Sequence, residues 1–362
     1  MATPWMLVDT PRNGGFTARF ESIGRKLPAH RVTTAELMES TRHHTSIDLE
    51  RLTGIHERRC CGPGEDSLTL AIDAARDCLA RSRHPASELD IVIDASITRH
   101  DGEALHRFEP PLSLSIKQAI GADRAIHFDI SNACAGMLTG VYLLHDMIRR
   151  GAIRCGMVVS GEHITGLGSN AARSIRNILS PQLASLTLGD AGAAVIVERA
   201  PDDQPGILLA GFTTLAEHSR LCLGFPAAHQ PGAKMFTRAR EIHDVAMADG
   251  PLLIEQVLEQ ASLHLADIDW LIPHQTSVRA LHAADKVLAE RFGGGPKHLV
   301  ITVDDYGNTA STTLFLALHR HLGERTFTPG DKVLLLSVAS GLEVGVLIFV
   351  IDHLQETHGH LH

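Results

Sequence analysis

Three short stretches hold residues able to do acyl chemistry: FDISNACAG with Cys134, IPHQTS with His274 and YGNTAST with Asn308. A cysteine that follows an apolar run and opens a helix faces unpaired backbone N–H groups and the positive end of the helix dipole. Both favour thiolate over thiol, and a thiolate is a nucleophile. Ala133, Ala135 and Gly136 leave room beside it for a substrate carbonyl. Such a nucleophile needs partners that move protons and hold an oxyanion, and histidine and asparagine are of the right chemical type. Taken singly, His274 would equally serve as a strand-end histidine bonded to backbone, and Asn308 as a helix cap. A lone buried cysteine is more often inert.

The surrounding pattern supplies elements that could carry these groups. Residues 67–82 place apolar side chains at helical intervals after a capping serine, and LDIVIDASI follows as a buried strand. A helix around LSLSIKQAIGA, the strand AIHFDI, the helix after Cys134 and the strand CGMVVSGE continue the alternation to GDAGAAVIVE. The second half resumes with a long helix near residues 250–265, the strand IDWLIPH, a helix over 277–292, the strand HLVITV and a helix after YGNTASTT. It closes on the paired strands KVLLLSVAS and EVGVLIFVID. Strands alternating with helices predict a layered α/β architecture. The turn-rich RAPDDQPG, residues 199–206, divides the chain into halves 1–200 and 206–362. Each half holds a strand, a small-residue turn and a helix, which points to an internal duplication with Cys134 and Asn308 at corresponding helix starts.

Composition narrows the function classes. The chain has 362 residues, 44% of them apolar and 21% charged, as expected of a globular enzyme. A net charge of −9 with no long basic run gives no nucleic-acid surface. The start lacks the order of a signal peptide and no apolar run spans a bilayer, so no membrane partner and a cytoplasmic setting are expected. Six cysteines without a CxxC or a framework spacing read as reduced thiols. The 23 histidines include a terminal HGHLH, but no HExxH or paired His/Cys spacing occurs, so neither metal nor cofactor is expected.

Together the three motifs, in this order and at these separations, resemble the active-site motifs of the ketoacyl-ACP synthase III branch of the thiolase superfamily. TGIHERR, GDAGAAVIVE and ASGLEVG support the resemblance, which spans roughly residues 45–351. It implies a duplicated five-layered αβαβα thiolase fold and a homodimer. It also implies ping-pong chemistry on acyl carrier protein or acyl-CoA thioesters: Cys134 takes an acyl group, and a carbanion from a second thioester attacks it. The backbone N–H groups of Cys134 and Gly341 would hold the first oxyanion. His274 and Asn308 would hydrogen-bond the enolate oxygen of the second thioester, and Arg279, just after PHQTS, would contact an acidic carrier.

Two departures modify this expectation. The family's CoA-clamping Trp and two Arg are replaced by Asp48 or Leu49, Leu52 and Gln182. Without a stacking ring and two cations, a carrier-protein donor or a CoA held differently is expected. In RFEPPLSLS, Glu109 stands where ordinary synthases carry an apolar residue that crosses the dimer interface. This is similar to olefin-pathway head-to-head condensing enzymes and pyrone-forming ketosynthases, which implies a non-decarboxylative Claisen condensation with Glu109 as base. The plainer reading of Glu109 is an exposed loop carboxylate beside Pro110 and Pro111. Decarboxylative condensation with a malonyl carrier and acyl transfer to oxygen or nitrogen are the rival reactions. A non-catalytic partner subunit is the rival class, and retention of Cys134 argues against it.

Overall fold

The apolar runs assemble into two mixed sheets with one strand order, seen in a computed structural model that describes residues 6–8, 15–43, 46–100, 102, 106–201, 204–228 and 232–358. The first sheet runs β2 (Ala18–Lys26), β8 (Ala191–Arg199), β7 (Cys155–Glu162), β5 (Ile91–Asp94) and β6 (Ile126–Asp129). The second runs β9 (Ile207–Thr214), β15 (Glu343–Val350), β14 (Lys332–Ala339), β12 (Trp270–Pro273) and β13 (His298–Leu299). Directions repeat as well: in each sheet the second strand is antiparallel to both neighbours, and the last three strands are parallel. A short β1 (Met6–Val8) adds antiparallel to β9. Among the described residues there are two further antiparallel pairs: β3 (His30–Thr33) with β4 (Glu57–Cys60), and β10 (Cys222–Pro226) with β11 (Ala233–Thr237).

Helices Gly136–Arg149 and Thr313–Gly323 lie between the two sheets, and their buried faces join one core with Phe20, Val195, Leu335 and Phe349. Helices Ser67–Arg81 and Leu112–Ile120 cover the outer face of the first sheet. Ala239–Ala261 and Val278–Phe292 cover that of the second. The result is the five-layered αβαβα arrangement. Because both faces of each sheet are covered, β7, β8 and β14 are buried along nearly their whole length, as strands of such sheets are. Among the described residues no helix is long and apolar enough to cross a membrane.

The helix expected near residues 250–265 begins earlier and ends sooner, at Ala239–Ala261, with Pro251 inside it. Proline lacks an N–H and is costly within a helix. Here burial of Pro251, Leu253, Ile254, Val257 and Leu258 on the second sheet outweighs that cost.

The duplication is closer than the sequence suggests and its register differs. Ala133 and Ala310 both have left-handed backbone, with φ of 44° and 55°. Each opens a 3₁₀ turn, Ala133–Ala135 and Ala310–Thr312, that feeds a central helix. The counterpart of Cys134 is therefore Ser311, and Asn308 lies earlier, in the approach to its turn.

Candidate active site

Cys134 sits in the turn between β6 and helix Gly136–Arg149, half-buried among Ile97, Ile164, Leu167, Leu188, Met235 and Ala310. The left-handed conformation of Ala133 costs a residue with a Cβ roughly 1 kcal/mol, and it turns the chain sharply from strand to helix. The expectation of a resting thiolate fails. Burial pushes the Cys134 thiol up to about 12, and neighbouring Cys222 and Glu162 add to the shift. The apolar wall outweighs the helix end because desolvation acts on the whole charge, whereas the helix offers only partial charges.

His274 follows β12, and its backbone N–H donates to Leu336 O of β14 at 2.7 Å. The side chain is only 7% exposed, and its Nδ1 is buried without a hydrogen-bond partner among the described residues. Burial lowers its pKa to about 4, so the imidazole is neutral near pH 7. The next residue, Gln275, donates to Pro273 O (2.9 Å) and Val300 O (3.0 Å) and accepts from the N–H groups of Thr302 (2.8 Å) and Val303 (3.1 Å). It thereby fixes the His274 loop to the segment that leads to Asn308. Sequence reading quoted Gln275 within its motif but assigned it no task.

Asn308 is anchored by its backbone: its N–H donates to Thr187 O at 2.8 Å and its carbonyl accepts from Gly189 N–H at 3.0 Å. Its side-chain Oδ1 accepts from Ala310 N–H at 3.0 Å, which leaves the NH2 as the group free to donate. The cap bond therefore uses the oxygen and not the NH2. The Cys134 turn packs on the Ala310–Thr312 turn that follows Asn308, and β14 packs on the Cys134 turn. Gly341 lies just beyond β14 at φ 141°, a backbone open to glycine, while His274 ends the adjacent parallel β12. The structure therefore brings the Cys134 turn against the Ala310–Thr312 turn, two residues beyond Asn308, and puts His274 and Gly341 at the same end of the second sheet.

Glu109 and Arg279 are not part of that cluster within one chain. Glu109 is exposed ahead of helix Leu112–Ile120, beside Phe108, which is 79% exposed. Arg279 is exposed on the first turn of helix Val278–Phe292 and has no ion-pair partner among the described residues.

Comparison with known proteins bears on the whole chain. The family model for 3-oxoacyl-[acyl-carrier-protein] synthase III matches residues 128–215, and the model for its C-terminal part matches 258–351. The beta-ketoacyl-[acyl-carrier-protein] synthase III of Symbiobacterium thermophilum is 30% identical over 331 residues, covering 84% of this chain and 92% of that protein. This chain belongs to the ketoacyl synthase III family. The synthase III 2 of Deinococcus radiodurans is 29% identical over 330 residues, 90% of this chain and 91% of its own. Among solved structures, the synthase III of Aquifex aeolicus superposes with a TM-score of 0.77 at 24% identity, over 92% of this chain and all of that one. A glutamate-to-glutamine variant of OleA from Xanthomonas campestris gives 0.80 at 21%, over 94% of this chain and 99% of that one. Both share the thiolase fold. The protein is accordingly an acyltransferase and a condensing enzyme of the synthase III type.

At the positions expected to have lost a nucleotide clamp, Asp48 caps helix Leu49–Thr53, Leu49 is buried, and Gln182 donates to Ser174 Oγ at 3.1 Å. Cys61, His163 and Asp190 place ligand atoms within 4.8 Å of one another. They do not suit a metal ion, because both Asp190 oxygens are already taken twice. Oδ1 accepts from the N–H groups of Ile164 (2.7 Å) and Thr165 (2.8 Å). Oδ2 accepts from Cys61 N–H (2.8 Å) and Thr165 Oγ1 (2.7 Å). This buried corner explains the GDAGA motif as structural. Of the terminal histidine tail, residues 359–362 lie outside the described residues, and His358 is buried against His319 with ring centroids 4.3 Å apart. All six cysteines are free thiols.

Proposed function

We propose that this synthase joins two acyl thioesters by Claisen condensation through an acyl-Cys134 intermediate, with Glu109 of the partner subunit as the base in a homodimer. Cys134 sulfur attacks the first thioester, the bond to the donor thiol breaks, and that thiol leaves carrying the proton of Cys134. The N–H groups of Cys134 and Gly341 stabilise the oxyanion. Glu109 then takes an α-proton from the second thioester, and the enolate oxygen is held by His274 N–H and the Asn308 NH2. The carbanion attacks the acyl carbon, a C–C bond forms, the C–S bond breaks, and the sulfur recovers a proton from Glu109.

The observation that carries this reading is the packing of the Cys134 turn on the Ala310–Thr312 turn that Asn308 leads into, inside an apolar wall, with a neutral His274 at the end of a nearby strand. A neutral imidazole donates to a developing enolate without adding a buried charge. Support for a second subunit comes from β6, whose outer edge pairs with no strand among the described residues and whose Ile126 is 65% exposed. Support for a thioester donor comes from the neighbouring OleA, one structure of which holds lauric acid and lauroyl-CoA. The exposed Arg279 suits an acidic carrier and would act mainly on association.

Exposure of Glu109 on the isolated chain favours a second reading, decarboxylative condensation with a malonyl carrier. One experiment separates the two. Lauroyl-CoA should add one lauroyl mass to the wild type and none to Cys134→Ala. Glu109→Gln should still take the acyl group but lose condensation with a second, non-malonyl thioester. Condensation by Glu109→Gln at the wild-type rate, with malonyl carrier required, would establish the decarboxylative reading instead.

A further inference from the structure

Two carboxylates cross between the duplicated halves at this site, one to each turn. Glu162, ending β7 in the first half, accepts from Ser311 Oγ in the second half at 2.5 Å. In the opposite sense Glu343, opening β15 in the second half, accepts from Asn132 Nδ2 in the first half at 2.8 Å. Glu162 is saturated, since it also accepts from Ile97 N–H (2.9 Å), Thr98 N–H (3.1 Å), Thr98 Oγ1 (2.9 Å) and Ser160 Oγ (3.3 Å). For Glu343, Asn132 is the hydrogen-bond donor among the described residues. Asn132 Nδ2 donates in addition to Thr139 Oγ1 at 2.8 Å, on the helix that Cys134 introduces, and Thr139 Oγ1 bonds back to Ala135 O at 2.9 Å.

The placement gives this bond its meaning. Asn132 lies just before the Ala133–Ala135 turn, and Glu343 just after Gly341. Ala133, at φ 44°, holds a backbone that a residue with a Cβ keeps only where its surroundings over-determine it. Gly341, at φ 141°, is a glycine with no Cβ to confine it to that conformation. Gly341 is exposed and a Cβ there would meet nothing closer than 3.6 Å, so packing does little to hold it. Among the described residues, the Asn132–Glu343 hydrogen bond is a polar link between the two turns.

We propose that Glu343 is a positioning residue that sets the separation of the Cys134 and Gly341 N–H groups, an inference that rests on the condensing-enzyme reading given above. An oxyanion hole works only when both donors sit at hydrogen-bonding distance from where the oxyanion forms, and loss of one donor costs about 10²- to 10³-fold in rate. Loosening rather than deleting a donor should cost less. The role needs an acceptor atom at Oε1 and not a charge, which sets it apart from a base.

The test measures single-turnover acylation of Cys134 by lauroyl-CoA, together with amide hydrogen exchange over residues 130–140 and 338–345. Glu343→Ala should slow acylation about 10- to 100-fold at nearly unchanged KM and speed exchange at both turns. Glu343→Gln, whose amide oxygen can accept the same bond, should restore both. Asn132→Ala should match Glu343→Ala, and the double variant should be no worse than either alone. Wild-type acylation rates in Glu343→Ala, or a Glu343→Gln as slow as the alanine variant, would overturn the proposal. So would unchanged exchange in either alanine variant. Failure of the wild type itself to take an acyl group would instead count against the condensing-enzyme reading, and the exchange data would still decide the positional claim.

Discussion

Asp94 ends β5 fully buried, directly opposite Asp129 on β6, and Ser96 Oγ donates to it at 2.7 Å. Burial raises its pKa to about 8, and the adjacent Asp129 charge adds to the shift. The sign follows from linkage: as pH rises past the unfolded carboxyl value near 4, the unfolded chain releases a proton that the folded chain still holds. Stability therefore falls from about pH 4 to pH 8. Asp94→Asn keeps an oxygen for Ser96 and removes the titration. It should stabilise the protein by about 2 kcal/mol or more at pH 8 and by little near pH 4, read from urea unfolding at the two pH values. An equal effect at both would mean that Asp94 is not a buried acid with this behaviour. At this scale the sequence singles out Cys134, His274 and Asn308, because each stands inside a dense local motif. Asp94 and Glu343 carried no signal, because an acid at a strand end reads as a turn residue until tertiary packing buries it. The protonation states of Cys134 and His274 were hidden for the same reason, since desolvation comes from side chains distant in sequence.

Elements meet at this site through backbones pressed together. At Gly161 on β7, a Cβ would fall 1.9 Å from Ser67 O and 2.7 Å from Ala71 N, both backbone atoms of helix Ser67–Arg81. The next residue is Glu162, which holds Ser311. Gly161→Ala must push the helix off the sheet and should cost about 3 kcal/mol in urea unfolding. Gly166 opens a helix and has nothing within 4 Å of a built Cβ, so Gly166→Ala should be neutral or slightly stabilising. Equal effects would show that the sheet and helix are not in the close contact described. The helix was legible from its 3.6-residue period, and its capping acid is Asp66, one residue before the serine chosen from sequence. By contrast β2 escaped reading, because ARFESIGRK looks polar. Arg19 and Glu21 are buried all the same: Arg19 pairs with Glu198 at 2.6 Å, and Glu21 accepts from Ser82 Oγ at 2.6 Å and Arg83 N–H at 2.8 Å. Ion pairing across strands allows a central layer to carry charges that a periodicity argument assigns to solvent.

For the molecule as a whole, the duplication was legible because each half repeats strand, turn and helix. The crossing of β1 into the second sheet was not, since three residues carry no period. The proposed dimer has a natural seam at the edge of the first sheet. The order of the first sheet leaves β6 at its edge, with Ile126 65% exposed, and an unpaired apolar edge is a template for strand addition. Phe108, 79% exposed, and Glu109 stand ahead of the helix whose N-terminal N–H groups, on Leu112 and Ser113, are capped by Asp129 of that same strand at 3.1 and 3.0 Å. Strand pairing at β6 would therefore place the Glu109 segment against the partner subunit, and the base proposed for condensation would be supplied only by a dimer. Ile126→Lys puts a charge on the edge and should shift the protein from dimer to monomer in sedimentation velocity. The monomer keeps Cys134, Gly341, His274 and Asn308 in one chain, so it should still take an acyl group from lauroyl-CoA while losing condensation with a non-malonyl thioester. A dimer that survives Ile126→Lys would move the interface elsewhere. A monomer that condenses at the wild-type rate would remove Glu109 of a second chain from the reaction.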